Sequence, residues 1–69
     1  MKVLVLGSGG REHALCWAIS KSPLCEKLFC IPGNAGIKSV AKCINIKINN
    51  FNSLKKFIKK EKINFVIVG

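Results

Sequence analysis

The chain has 69 residues, so it can form one small domain and is too short for a complete enzyme with two substrates. Hydrophobic residues make up 49% of it, which argues against disorder, but no apolar run is long enough for a membrane span or a signal peptide, and we expect a soluble cytoplasmic protein. The net charge of +9 could suit a nucleic-acid partner, yet Ile, Lys and Asn supply 26 of the residues, a bias typical of A- and T-rich genes, so the charge is weak evidence of function.

The first half of the chain alternates between strand and helix patterns. Residues 2–6 form a short apolar run that ends at Gly7, as expected for a strand buried on both faces of a parallel sheet. Residues 11–20 are good helix formers, and Pro23 shows that this helix has already ended. Residues 27–31 are apolar again and stop at a Pro-Gly-Asn turn signal, which predicts a second strand entering a loop.

The second half repeats this order. Residues 43–48 alternate, with isoleucines at 44, 46 and 48 on one face, and this predicts a strand covered on one side only, at a sheet edge. Asn50 is a plausible cap for a second helix, and residues 63–68 predict a fourth strand. Because no further element follows residues 65–68, we expect them to expose apolar surface.

The second helix is predicted to be amphipathic. Its apolar side carries Leu54, Phe57 and Ile58, and its other side carries the lysines at 55, 56, 59 and 60. No aromatic residue lies between these lysines as a stacking platform for bases would require. A solvated face is therefore favoured over a nucleic-acid surface.

The order β-α-β-β-α-β predicts a Rossmann-like α/β fold of three layers. In such sheets ligands bind beyond the carboxyl ends of the strands. Gly7, the Pro-Gly-Asn turn at 32–34 and Gly69 all follow strands. Three loop signals should therefore meet at one edge of the sheet.

The first loop carries a partial dinucleotide fingerprint. Gly7 and Gly9 match the Gly-x-Gly pattern, but the third glycine position is Glu12, and no acidic residue follows the second strand to hold a ribose. Gly10 allows close backbone approach at a helix start, and Arg11 offers a fork of donors suited to phosphate. The residues favour binding of phosphate or ribose phosphate over a purely structural turn.

Four cysteines stand at spacings that match no metal or redox motif. They are separated by 9, 5 and 13 positions, at residues 16, 25, 30 and 43. We interpret them as small buried hydrophobic residues in a reducing compartment.

Four stretches together carry a family resemblance: KVLVLGSGGREHALCW at 2–17, SPL at 22–24, PGNAG at 32–36 and EKINFVIVG at 61–69. With them the whole chain resembles the amino-terminal end of the phosphoribosylamine–glycine ligase (glycinamide ribonucleotide synthetase) family. The resemblance implies that residues 1–69 are an incomplete Rossmann-like domain of the type that precedes an ATP-grasp domain. The ATP-grasp and carboxy-terminal domains of the family are absent from this sequence.

The resemblance also implies an activity. Members of the family join 5-phosphoribosylamine and glycine, with cleavage of ATP, to give glycinamide ribonucleotide in de novo purine biosynthesis. ATP and Mg²⁺ would be bound by the missing ATP-grasp domain, so we expect the 69-residue chain to be inactive alone. The expected partners are phosphoribosylamine and the other domains of the same enzyme, with no nucleic acid and no membrane.

By the same resemblance the two loops are expected to contact the phosphoribosyl group, with Glu12 either bonding that group or fixing its own loop. The residues concerned are Gly7, Gly9, Gly10, Arg11, Glu12, Gly33, Asn34 and Gly36. No catalytic residue or metal ligand is expected. His13 is favoured as a helix residue satisfied by a backbone neighbour over an acid or base. Two alternatives remain: a stand-alone nucleotide- or NAD-binding module, and a basic nucleic-acid-binding protein.

Overall fold

The computed structural model describes residues 1–69 as an α/β fold with one four-stranded, all-parallel sheet, which confirms the predicted class. A short 3₁₀ turn at Ile37–Ser39 links the second and third strands. The elements are β1 (Lys2–Gly7), α1 (Gly10–Ser20), β2 (Lys27–Pro32), β3 (Lys42–Cys43), α2 (Phe51–Glu61) and β4 (Phe65–Val68). Neither helix is long and apolar enough to cross a membrane.

The strand order is β3-β2-β1-β4, so β1 lies in the interior of the sheet. Val5 of β1 stands opposite Cys30 of β2 on one side and Ile67 of β4 on the other. All strands are parallel, so their carboxyl ends lie at the same edge. The loops after β1 and β2 therefore leave the sheet side by side.

Alternation of side chains along the strands builds two separate cores. On one face Val3, Val5 and Cys30 pack with Cys16 of α1. The other face packs against α2 and is formed by Leu4, Phe29, Ile31 and Leu54. Because α1 and α2 cover opposite faces, the fold has the three layers that were predicted.

The predicted strand at 43–48 is wrong in its extent, because β3 contains only Lys42–Cys43. β3 pairs with β2 alone, so its predicted edge position is confirmed. After Cys30, β2 runs into Pro32, which has no N–H to donate, and into Gly33, which turns towards β1 at φ 72°. Without a strand to pair with, the segment after Cys43 leaves the ladder of β2, although the side chains of Ile44 and Ile46 still pack on the α2-side core.

The two ends of α2 follow from local chemistry. The side-chain oxygen of Asn50 accepts from the amide of Ser53 at 3.2 Å, which confirms the predicted cap. At the other end Lys62 takes a left-handed conformation, and the amide of Ile63 donates back to Ile58. Ile63 thus closes the end of the helix, the amide of Asn64 donates to the carbonyl of Lys2 in β1, and the fourth strand begins later than predicted, at Phe65.

β4 is the outer strand next to β1, and three of its four side chains are exposed. Phe65 is 56%, Val66 42% and Val68 76% exposed. This agrees with the expectation that residues 65–68 present apolar surface.

Candidate functional site

Two loops meet at the carboxyl edge of the sheet. We call residues 7–12, from the last residue of β1 into the first turn of α1, the first loop. Residues 33–36, after β2, are the second loop. The amide of Gly33 donates to the carbonyl of Gly7 at 3.1 Å, and the side-chain amide of Asn34 donates to the carbonyl of Ser8. The structure therefore brings together the two segments that contain all eight residues predicted for the site.

The amino-terminal end of α1 has main-chain amides without hydrogen-bond partners. Gly9 is the N-cap residue and supplies no side-chain cap. The first hydrogen bond of the helix runs from the amide of His13 to the carbonyl of Gly9 at 3.1 Å, so the amides at positions 10–12 have no acceptor within the helix. Arg11 is exposed and makes no ion pair. Free amides, the positive end of the helix and a guanidinium together favour an anion.

The side chain of Glu12 occupies the space between the ends of β1 and β4. A Cβ atom at Gly7 would lie 2.6 Å from Glu12 Oε1, and one at Gly9 would lie 3.0 Å from Oε2. Gly69 is equally close to this side chain. Two of the fingerprint glycines thus leave room for Glu12, and Gly7 also has a φ of 144°.

The carboxylate of Glu12 has no hydrogen-bond or ion-pair partner in the chain. It is half-buried at the mouth of the site, and its oxygens can accept from hydroxyl or ammonium groups of a ligand. Its position at the third place of the fingerprint sets this loop apart from one built for a pyrophosphate.

Asn34 uses both ends of its side-chain amide within the protein. The nitrogen donates to Ser8 in the first loop, and the oxygen accepts from the amide of Ile37 at 2.9 Å. The second bond closes the turn that leads into the 3₁₀ segment. Asn34 therefore shapes the second loop and ties it to the first, with one donor and one acceptor position left for a ligand.

His13 faces the second loop rather than its own backbone. A Cβ atom at Gly36 would lie 2.9 Å from His13 Cε1 and 3.1 Å from Nδ1, so the imidazole ring packs against this glycine. The ring makes no hydrogen bond within the chain. The expectation that a backbone neighbour satisfies it is wrong, because the ring points away from α1 towards a loop that the sequence places more than twenty residues later.

Two thiols donate hydrogen bonds to main-chain carbonyls of the loops. Cys30 Sγ donates to the carbonyl of Gly7 at 3.3 Å, and Cys43 Sγ donates to the carbonyl of Asn34 at 3.7 Å. Burial raises the pKa of the Cys30 thiol to about 12, so this thiol stays protonated and is a donor rather than a nucleophile. The sequence pattern predicts buried hydrophobic residues at all four cysteine positions, whereas Cys25 and Cys43 are only half-buried. All four are free, and Cys16 and Cys30 are buried.

No group of three or more histidine, cysteine, aspartate or glutamate side chains is arranged to hold a metal ion. The exposed lysines of α2 lie on the opposite face of the sheet from α1. The chemistry available at the carboxyl edge is thus recognition of an anion by amides and Arg11, with Glu12 as a neighbouring acceptor.

Comparison with known proteins gives one consistent result. The family described as phosphoribosylglycinamide synthetase, N domain, matches residues 1–69. Phosphoribosylamine–glycine ligases of Caldanaerobacter subterraneus subsp. tengcongensis and of Brucella melitensis biotype 1 are each 51% identical over 69 residues. The trifunctional purine biosynthetic protein adenosine-3 of Drosophila pseudoobscura pseudoobscura is 44% identical over 72 residues, which cover 97% of this chain and 5% of that protein.

The match to the two bacterial ligases covers 100% of this chain but only 16% of each ligase. The glycine-rich first loop, the Pro-Gly-Asn second loop and the all-parallel sheet all lie within the matched residues. The chain therefore belongs to the phosphoribosylglycinamide synthetase family and corresponds to its N domain.

Proposed function

We propose that the first and second loops bind the phosphoribosyl group of 5-phosphoribosylamine, as the amino-terminal part of a ligase that joins this amine to glycine in purine biosynthesis. The observation that carries the proposal is the uncapped start of α1 beside exposed Arg11. Three amides without helical acceptors and a guanidinium suit the dianionic phosphate. The names of the relatives supply the reaction.

Each part of the site has a role in this proposal. Gly9 and Gly10 allow the phosphate to approach the backbone, and Arg11 donates to its oxygens. Glu12 accepts from the ribose hydroxyls or from the amine, which a carboxylate without a partner in the chain can do. The second loop, with Gly33, Asn34 and Gly36, forms the opposite wall. These residues bind and orient the substrate, and none of them is assigned a bond-making step.

ATP and Mg²⁺ are assigned to the rest of the enzyme. The chain corresponds to only 16% of each of the two bacterial ligases it matches. We therefore expect no ligase activity from the 69-residue chain alone, and formation of glycinamide ribonucleotide by the purified chain would contradict this.

Binding of ribose 5-phosphate tests the proposal, because this stable compound carries the phosphate and the ribose hydroxyls. The fluorescence of Trp17, which lines a cavity with Gly10 and His13, reports on ligand near the start of α1. Arg11→Ala should weaken binding about tenfold or more, since a charge-assisted hydrogen bond contributes about 1.5–3 kcal/mol. Lys60→Ala removes the same charge from α2 and is the matched control.

Equal affinity of the Arg11→Ala and Lys60→Ala variants would show that the phosphate does not bind at the first loop. Titration with NAD separates this proposal from a dinucleotide-binding module. We expect NAD to bind at least about tenfold more weakly than ribose 5-phosphate, because Glu12 stands where the fingerprint has its third glycine. Tighter binding of NAD would overturn the proposed ligand.

A further inference from the structure

The contact between His13 and Gly36 joins the first turn of α1 to the second loop. A Cβ atom built at position 36 would lie 2.9 Å from Cε1 and 3.1 Å from Nδ1, so a side chain there would have to displace the ring. The same built Cβ atom would lie 3.3 Å from Asn34 Oδ1. Gly36 thus lies close to both the imidazole ring and an amide oxygen of its own loop.

The backbone that carries the ring has a defined place in α1. The amide of His13 donates to Gly9 in the first turn of α1, so its Cα keeps a constant position relative to the first loop. The side chain is half-buried, and its nitrogens make no hydrogen bond within the chain. The ring therefore acts on the second loop through its shape and position.

We propose that His13 is a positioning residue that holds the second loop against the first loop, so that both face one ligand. This inference rests on the proposed function for its effect on binding, but the contact itself does not depend on any ligand. Asn34 joins the loops through its amide, and the His13 ring limits the position of the following turn. Loss of the ring leaves the second loop free to move away from the binding position.

The first measurement is the proton chemical shift of Gly36 in the NMR spectrum of the 69-residue chain without ligand. An aromatic ring in contact shifts the resonances of its neighbour, so His13→Ala should move the Gly36 signals towards ordinary glycine values. His13→Phe keeps a flat ring without the nitrogens and should restore most of the displacement. Unchanged Gly36 signals in His13→Ala would overturn the inference.

The second measurement is the affinity of the same variants for ribose 5-phosphate. His13→Ala should weaken binding about threefold to tenfold, because only the fraction of molecules with the loop in place can bind. His13→Phe should recover most of this loss. Failure of Phe to recover affinity, with the loop signals restored, would show that the imidazole nitrogens contact the ligand and that a positioning role is wrong.

Substitution at position 36 tests the same contact from the second loop. Gly36→Ala adds a methyl group against the ring, so it should weaken binding in the native background and weaken it less when residue 13 is alanine. Equal losses in both backgrounds would mean that the two residues do not interact. If the native chain does not bind ribose 5-phosphate, the proposed function fails, and the Gly36 signals still decide the loop contact.

Discussion

The side-chain amide of Asn34 donates a hydrogen bond to the main-chain carbonyl of Ser8 and so joins the second loop to the first. The two residues are 26 positions apart in the sequence. The bond lies beside the main-chain bond from Gly33 to Gly7, at the carboxyl edge of β1 and β2. The geometry of the site therefore depends on one asparagine side chain as well as on the sheet.

Replacement of Asn34 by alanine should destabilise the fold and loosen the loops. The variant loses both side-chain hydrogen bonds, to Ser8 and from Ile37, and we expect the free energy of unfolding to fall by about 1–2 kcal/mol. Unfolding in urea, followed by circular dichroism, measures the change. Asn45→Ala is the matched control, since Asn45 is exposed and makes no side-chain hydrogen bond, and it should stay within about 0.5 kcal/mol of the native chain. Similar losses in both variants would contradict this role for Asn34.

Much of the fold could be predicted because its elements carry strong local signals. The apolar run at 2–6 predicted β1. The cap at Asn50 and the alternating faces of α2 predicted that helix. Together with the run that predicted β2, these signals indicated the parallel sheet. The length of β3 could not be predicted, since it depends on where β2 stops offering partners rather than on the isoleucine pattern of residues 44–48. The strand pattern there reflects burial of Ile44 and Ile46 against α2 without a ladder.

The sequence predicted where the site lies in the fold, but it did not predict the contacts within the site. Glycines after strands, together with the parallel order, indicated that the loops would meet at one edge. The packing of His13 on Gly36 and the bond from Asn34 to Ser8 depend on how residues far apart in the chain are brought together. A single sequence has no local signal for such contacts.

Gly33 and Gly10 should respond in opposite ways to substitution by alanine. Gly33 has a φ of 72°, and a Cβ there would lie 3.0 Å from Cys43 Cβ and closer still to its sulfur. Gly33→Ala should therefore cost more than about 1–2 kcal/mol, the usual penalty of the left-handed conformation alone. Gly10 is the first residue of α1, and a Cβ there meets nothing within 4 Å, so Gly10→Ala should raise stability by about 0.4–1 kcal/mol.

Thermal unfolding of the two glycine variants measures this difference. A second step separates the two causes of the Gly33→Ala loss. Cys43→Ala removes the sulfur that the new methyl group would meet, so the double variant should recover part of the loss and retain the part due to backbone strain. Complete recovery would show that the positive φ costs nothing here, and no recovery would show that the sulfur contact is unimportant.

The buried thiol of Cys30 should make the fold sensitive to alkaline pH. Burial raises its pKa from an ordinary value of 9.0 to about 12, so between these values the folded chain holds a proton that the unfolded chain has released. The stability that the protonated thiol contributes is therefore complete below pH 9.0 and is lost as pH rises towards 12. The free energy of unfolding, measured in urea at increasing pH, should fall over this range.

Burial also raises the pKa of the Cys16 thiol, so the comparison is between variants. Cys30→Ala removes the buried thiol and should show a shallower fall of stability with pH than the native chain, in spite of a lower stability at neutral pH from the lost packing. Cys25→Ala, at a half-buried position, should keep the native slope. If Cys30→Ala kept the native slope as well, the alkaline loss would have to come from other groups, and the Cys30 thiol would then serve the first loop only as a hydrogen-bond donor to Gly7.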